Sequence, residues 1–304
     1  MSHAFCSRLA HATDGVIPGT GVRGDIYVFL PVEKRWWGQS EFNTGWATPE
    51  DIEAIKIARR SGVTTRLFDP RSRHAGAILA HRCPVAPTEA SSALAALLQA
   101  LSPHGWTLQE SGAARLALCT QGTRDRCCAK WGYPLYREAM KLHEEGQLTL
   151  EPIECSHLGG DRFAATGIVF PSGGMYGHLD RVELTELAAA EANDRILSGH
   201  YRGRVFEDSV VQVVRAGLAR DGFEVTATSP LTVANPQDAP GPLAVSTGGR
   251  RYEVLLSRRE IRFFGDCRSV LRDRSSRESR LFYESAREIP SSSSAHSEQG
   301  SQQV

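Results

Sequence analysis

Cys119, Cys127 and Cys128 crowd into ten positions of LCTQGTRDRCCAKWG, and farther along CSHLGGD sets Cys155, His157 and Asp161 around two glycines. Thiolate, imidazole and carboxylate are the side chains that hold transition metals, the thiolate being the softest. Two adjacent cysteines are poorly placed to bridge each other or to share one ion, so the pair at 127 and 128 asks which thiol does the chemistry. The chain has seven cysteines, at 6, 83, 119, 127, 128, 155 and 267. An odd number, clustered in this way in a reducing compartment, points to metal or redox chemistry rather than a disulfide framework.

Regular elements must deliver these donors to one place. RLALCT (115–120) reads as a buried strand ending at Cys119, and 129–145 as a helix beginning beside Cys128. The loop between them turns tightly at Gly122, so both thiols point into one site. A helix N-terminus with Arg124, Arg126 and Lys130 nearby favours the thiolate of Cys128. TLEPIECS (149–156) is the neighbouring strand, and its exit carries Cys155, His157 and Asp161. FAATGIVFPSGGMYGHL (163–179) reads as a hairpin turning at 171–174, and ELTELAAAEAN (183–193) as a closing helix. Strand, helix, strand, hairpin, helix is the order of a thioredoxin-like layer.

Upstream, DIYVFLPVE (25–33) and TTRLFDP (64–70) are strands flanking an amphipathic helix, PEDIEAIKIARRSG (49–62), with an acidic first turn and a glycine stop. After a break at 81–87, TEASSALAALLQALSPHG (88–105) is a helix with a buried Ala/Leu face. Downstream come the helix EDSVVQVVRAGLARDG (207–222) and two β segments, EVTATSP (224–230) and RYEVLLSRREIRFFG (251–265). The expected architecture is α/β: an N-terminal arm (1–18), an N-terminal α/β segment (19–110), a thioredoxin-like ferredoxin domain (111–200) and a small C-terminal α+β extension (201–270). Residues 271–304 turn to Ser, Glu and Arg and read as a disordered tail, lacking the apolar material to offset ordering entropy.

Composition excludes several classes. With 35 Lys+Arg against 35 Asp+Glu the formal charge is zero, so the overall balance advertises neither nucleic acid nor an anionic membrane. The N-terminal string lacks the apolar run of a secretory signal, and no stretch approaches the roughly 18 apolar residues of a membrane span. A cytoplasmic protein is expected.

C-x8-C from Cys119 to Cys128, then SHLGG, RFAATGIVFPSGGMYG and HYRGR (200–204), together with the opening GTGVRGDIYVFLPVEKRWWGQ, closely resemble the sucrase/ferredoxin-like family, from about Gly19 to Gly265. The resemblance implies a thioredoxin-like 2Fe-2S ferredoxin, in a family with a branch whose second ligand pair is H-x-G-G-H. Carried over by position, Cys119, Cys128 and His157 match cluster ligands. Cys128 rather than Cys127 takes the ligand position, because Asp125 then falls where the family has its aspartate. The fourth position departs from the pattern, with Asp161 where that branch has histidine. A carboxylate or solvent ligand there ranks ahead of Cys155, with a labile or lost cluster as the third reading.

The implied function is electron transfer or redox sensing by a 2Fe-2S cluster with mixed Cys/His ligation, toward an unidentified redox partner protein. Two alternatives stay open: a cluster-free thiol redox protein using Cys119 with Cys127 or Cys128, and a structural zinc site of two cysteines, a histidine and a carboxylate. Sucrose hydrolysis needs two carboxyl groups across a sugar cleft, and no such pair stands out. Taken singly, Cys6, Cys83, Cys127 and Cys267 read as packed thiols, His143 and His178 as surface or half-buried, and Trp36-Trp37 as core. Arg202 and Arg204 read as a solvated face opening the next helix or as a patch beside the cluster.

Overall fold

The computed structural model describes residues 4–13, 17–38, 45–70, 74–110 and 113–290. The elements run α1 (Cys6–Thr13), β1 (Ile26–Pro31), α2 (Pro49–Arg60), β2 (Val63–Phe68), β3 (Ala77–Arg82), α3 (Thr88–Ala100), β4 (Thr107–Glu110), β5 (Arg115–Cys119), α4 (Tyr133–Glu144) and β6 (Glu151–Cys155). They continue with β7 (Gly167–Phe170), β8 (Gly174–Tyr176), α5 (Leu184–Ala192), β9 (Tyr201–Arg204), α6 (Ser209–Arg220), β10 (Leu231–Val233), β11 (Gly241–Thr247), β12 (Arg250–Phe263), α7 (Cys267–Leu271) and β13 (Ser276–Ile289). The chain is a mixed α/β structure. One nine-stranded sheet has the order β4-β3-β1-β2-β6-β5-β7-β8-β9, and a four-stranded antiparallel sheet has the order β10-β11-β12-β13.

The large sheet is two half-sheets joined at β2 and β6. In each, a helix crossover makes a parallel pair, β1 with β2 through α2 and β5 with β6 through α4, and a third strand lies antiparallel on the far side of the first, β3 on β1 and β7 on β5. Period-two alternation divides their side chains. Ile26, Val28 and Leu30 face α2 and α3, while Leu116 and Leu118 face α4 and α5. The alternate residues, Tyr27 and Phe29 of β1 and Ala117 and Cys119 of β5, enter one shared core with Phe68, Ile153, Ile168 and Phe170. The junction is a single register pair, Phe68 with Cys155, at the C-terminal ends of both strands. The loops leaving those ends therefore meet.

Several expectations change. The break expected from residue 81 is the end of β3, whose His81 is buried and stacked on Phe170 at 4.1 Å. EVTATSP is not a strand: its carbonyls at Thr226 and Ser229 accept from the buried Arg215 guanidinium, which takes them from any ladder. The small sheet is built instead from β10, β11, β12 and β13, with Val213, Val214 and Leu218 of α6 packed on it. β13 also overturns the disordered-tail reading for its part of 271–304. Residues 276–289 pair along nearly all of β12, and Tyr283 donates to Asp221 at 2.8 Å beneath α6. A strand this polar is legible only beside its partner. Residues 291–304 lie outside the described residues.

Three side chains also differ from expectation. His178 is fully buried rather than at the surface, its ring 5.0 Å from that of His11, and burial lowers its pKa to about 4. Trp37 is core, with its indole N–H donating to the Val32 carbonyl at 2.8 Å, but Trp36 is exposed. Arg202 lies on β9, not on a helix face, and is fully buried. His143, on α4, is half-buried as expected.

Candidate metal centre

The donors converge where the two half-sheets meet. Cys119 ends β5, in parallel register with Cys155, and its N–H donates to the Thr166 carbonyl at 3.0 Å. The loop leaves by Thr120, whose N–H donates to the Cys155 carbonyl, and returns through Asp125 to a π turn over Cys128–Gly132 that leads into α4. Gly132 is what allows the return: any β-carbon there would overlap the Cys119 carbonyl. Absence of a side chain at that position lets the turn lie flat on the end of β5, which brings Cys128 against Cys119.

The second arm is fixed by both half-sheets. The Ser156 N–H donates to the Leu67 carbonyl at 2.8 Å, and the Leu67 N–H donates to Ser156 Oγ at 2.9 Å. The His157 N–H donates to Gln121 Oε1 at 2.7 Å, so the loop after β5 sets the position of the histidine. Gly159 and Gly160 follow in the left-handed region, φ 95° and 79°, where a side chain is unfavourable. A β-carbon on Gly160 would lie 2.5 Å from the Arg202 guanidinium, which donates to the Gly159 carbonyl at 2.8 Å and to the Thr20 carbonyl at 2.6 Å. Arg202 thus clamps this turn from below, with its pKa lowered to about 9 by burial. Of the two readings offered for Arg202, only the one beside the centre fits.

Cys119 Sγ, Cys128 Sγ and a His157 ring nitrogen lie within 4.8 Å of one another. Asp161 is adjacent, its Oδ1 3.4 Å from Cys128 Sγ and 3.0 Å from His157 Nδ1, with Arg124 Nε 3.8 Å from Oδ2. The His157–Asp161 approach has the distance of an ion pair without the alignment of a hydrogen bond. Cys155 Sγ stands apart from this group, among Phe68, Ile153 and the other apolar residues of the shared core, and burial pushes its thiol up.

The electrostatics correct one expectation. The thiol held well below its ordinary value is Cys119, through the hydrogen bond donated by Cys128 and then through His157, while Cys128 is pushed up. Two of the three expected cations are turned elsewhere, Arg126 lying 5.4 Å over the Phe5 ring and Lys130 5.6 Å over Trp131, while Arg124 stays beside Asp161. Burial works against a charged His157, but Asp161 and then Cys119 outweigh it and raise its pKa to about 9. The surroundings thus favour the thiolate form at Cys119 and the protonated ring at His157. A cation entering the site displaces the protons that its donors carry.

The family model described as sucrase/ferredoxin-like matches residues 22–203. The chain belongs to the sucrase/ferredoxin-like family. No curated protein and no solved structure matches it. The matched span covers both half-sheets and every donor named so far, and it ends within β9, before α6 and the small sheet.

A tie to the first half-sheet went unseen in the sequence. The Thr123 hydroxyl donates to the carbonyls of Trp37 at 3.0 Å and Gly38 at 2.9 Å, and Gln121 Nε2 donates to the Gly38 carbonyl at 2.5 Å. Lys34 pairs with Glu154 and donates to Thr120 Oγ1 at 2.9 Å. The segment after β1 is thus tied to the loop after β5, and its signal was the RGDIYVFLPVEKRWWG string. Three further cysteines were also missed as a group. Cys6, Cys127 and Cys267, read separately as packed thiols, do pack, but against one another and with Asp125. Cys83 remains half-buried and apart from either group.

Proposed function

We propose that this member of the family is an electron-transfer or redox-sensing protein with a 2Fe-2S cluster held by Cys119, Cys128 and His157, and by Asp161 in the fourth place. The carrying observation is the convergence of two thiols and an imidazole nitrogen at one end of a shared core, in a chain of this family. Two sulfurs, a nitrogen and an oxygen are a fitting donor set for mixed ligation. A cluster supplies one-electron chemistry, with a potential set by ligand charge and hydrogen bonding. The strand order β6-β5-β7-β8 with α4 and α5 supports a thioredoxin-like layer in the second half-sheet.

The chain's own residues have distinct tasks in this reading. Gln121 orients His157, Arg202 holds the Gly159–Gly160 turn, and the segment at Trp37 and Gly38 fastens the loop that carries Gln121 and Thr123. His157 is the exit for charge, because its side chain remains 22% exposed while Asp161 is 5% exposed. A redox partner protein therefore docks at the His157 edge, and an imidazole there can pass a proton with the electron. Neither nucleic acid nor a membrane is a partner in this reading, and free thiols suit a cytoplasmic address. Among the described residues no helix is long and apolar enough to cross a membrane.

One observation favours a second reading. Donor atoms within 4.8 Å of one another suit a single ion, and a two-iron cluster, being longer, needs the His157 turn to stand farther from the thiolates. Anaerobic purification with iron, sulfide and zinc quantification, and an EPR spectrum of the reduced protein, decides between them. About two irons and two sulfides per chain are expected. Metal without sulfide, lost on Cys119→Ser, would establish a mononuclear site. Neither metal nor sulfide, with Cys119 reacting as a thiol, would establish a cluster-free thiol protein.

A further inference from the structure

We propose that Cys6, Cys127, Cys267 and Asp125 form a second metal site, closed and structural, for one thiophilic divalent cation of tetrahedral preference, zinc in the first instance. The inference does not depend on what occupies the first centre.

The donors come from three distant parts of the chain: α1, the loop after β5, and α7. Their sulfurs form a triangle, Cys6 to Cys127 at 3.5 Å, Cys127 to Cys267 at 3.2 Å and Cys267 to Cys6 at 3.7 Å. A tetrahedral zinc with Zn–S of about 2.3 Å holds its sulfurs about 3.8 Å apart. Asp125 Oδ1 lies 4.0 Å from Cys6 Sγ, and all four donor atoms fall within 4.8 Å of one another. That spacing suits a single ion.

The surroundings are those of a built site. Asp125 is held by two backbone donors, the Cys127 N–H at 2.7 Å to Oδ1 and the Cys267 N–H at 2.6 Å to Oδ2, which orient the carboxylate and leave each oxygen a lone pair. The Ser7 hydroxyl donates to Cys127 Sγ at 3.3 Å, the kind of outer hydrogen bond that steadies a metal-bound thiolate. Cys6 and Cys127 are 0% exposed, Cys267 2% and Asp125 3%, and Ala164, Phe5, Trp131, Phe264 and Val270 close the shell. With no path for a substrate and no open position, the site is structural rather than catalytic. Three thiolates and a carboxylate carry the same charge as the four thiolates of a common zinc site. Binding releases the thiol protons.

Simple packing accounts less well for this arrangement. A disulfide would use two sulfurs and leave the third and the oriented carboxylate without a role. A metal uses all four groups, and it explains the adjacent cysteines: Cys127 serves this site and Cys128 the first. It also fastens α1 and α7, which lie outside the matched span 22–203, to the loop that carries Cys128.

The test uses the full chain. Purified protein is stripped with a chelator under reducing conditions and reloaded with zinc or cobalt(II) alone, for wild type, Cys119→Ser, Cys6→Ser and Cys267→Ser. Wild type and Cys119→Ser are expected to bind zinc at this site and to give the intense visible bands of tetrahedral cobalt-thiolate. Cys6→Ser and Cys267→Ser are expected to bind about one zinc fewer per chain and, combined with Cys119→Ser, to lose those bands. Should the serine variants fail to fold, non-reducing peptide mapping of wild type decides instead. A Cys127–Cys267 disulfide, or full reactivity of all three thiols in zinc-loaded protein, would overturn the proposal, whereas protection reversed by chelator would uphold it. Cobalt bands lost in Cys119→Ser and kept in Cys6→Ser would overturn it too.

Discussion

The two half-sheets have the same plan and opposite uses. β1-α2-β2-β3 and β5-α4-β6-β7 share strand directions and neighbours, and each packs one face on helices and the other on the shared core. After β5 the chain carries Gln121, Asp125, Cys127 and Cys128; after β1 it carries Lys34, Trp36 and Trp37. The first half therefore supplies a tether and an ion pair, and the second supplies the donors. Scaffold geometry puts two loop ends face to face, and only the side chains on those loops decide which one does chemistry.

Breaking the second loop should have the largest effect. Cys119→Ser and Cys128→Ser should each cost most of the bound iron and sulfide, because each removes one donor of four. Cys127→Ser should keep iron while losing zinc, since its sulfur faces the other site. Equal iron loss in all three, measured by metal analysis of anaerobically purified protein, would mean that the adjacent thiols are not divided as described.

Breaking the tether is next. Lys34→Met leaves Glu154 buried without its cation and should cost about 3 kcal/mol in urea unfolding. Adding Glu154→Leu should recover most of that, because removing both charges is far less costly than removing one. No recovery would show that Lys34 acts through Thr120 or the Tyr133 ring, 4.6 Å below its ammonium, rather than through Glu154.

The fourth donor gives a smaller, graded effect. Asp161→His should retain the cluster and raise its potential by on the order of 100 mV, a neutral ring replacing a charged oxygen that favours the ferric state. Asp161→Ala should alter the visible spectrum, and Cys155→Ala should not. The reverse pattern would move the fourth ligand to the strand.

An effect confined to acid pH concerns one buried histidine from each half. Burial lowers His81 to about 3 and His178 to about 4, so below the ordinary imidazole value the unfolded chain takes up protons that the folded chain refuses. Stability is thus fully present above about pH 6.5. It falls as pH drops, by about 1.4 kcal/mol per unit and per histidine, down to about 4 for His178 and about 3 for His81. His178→Phe should flatten the acid limb of the melting-temperature profile between pH 6.5 and 4, and His81→Phe should flatten it further down. Unchanged slopes would mean that water reaches these rings.

Much of the frame was legible because it is local. The strand ending at Cys119, the helix of 49–62 with its Thr48–Asp51 capping box, and the spacing C-x8-C with SHLGG are written in consecutive residues, where period, cap and turn chemistry act over a few positions. Those strings also carried the family and three candidate donors that the fold brings together. What they could not carry was convergence. Cys6, Cys127 and Cys267 are separated by most of the chain, and a lone cysteine reads as a packed thiol until folding puts three of them together. β13 looked unfoldable because its hydrogen bonds and its few apolar contacts all belong to β12 and α6. The lowered thiol is Cys119 rather than Cys128 for the same reason: thiolate character follows from what stands opposite a sulfur in space, and here that is Cys128 and His157. Sequence determined the elements and the donor types. Tertiary structure alone decided which donors share a site, because the cost of bringing distant groups together is met by the whole core and not by the residues that meet.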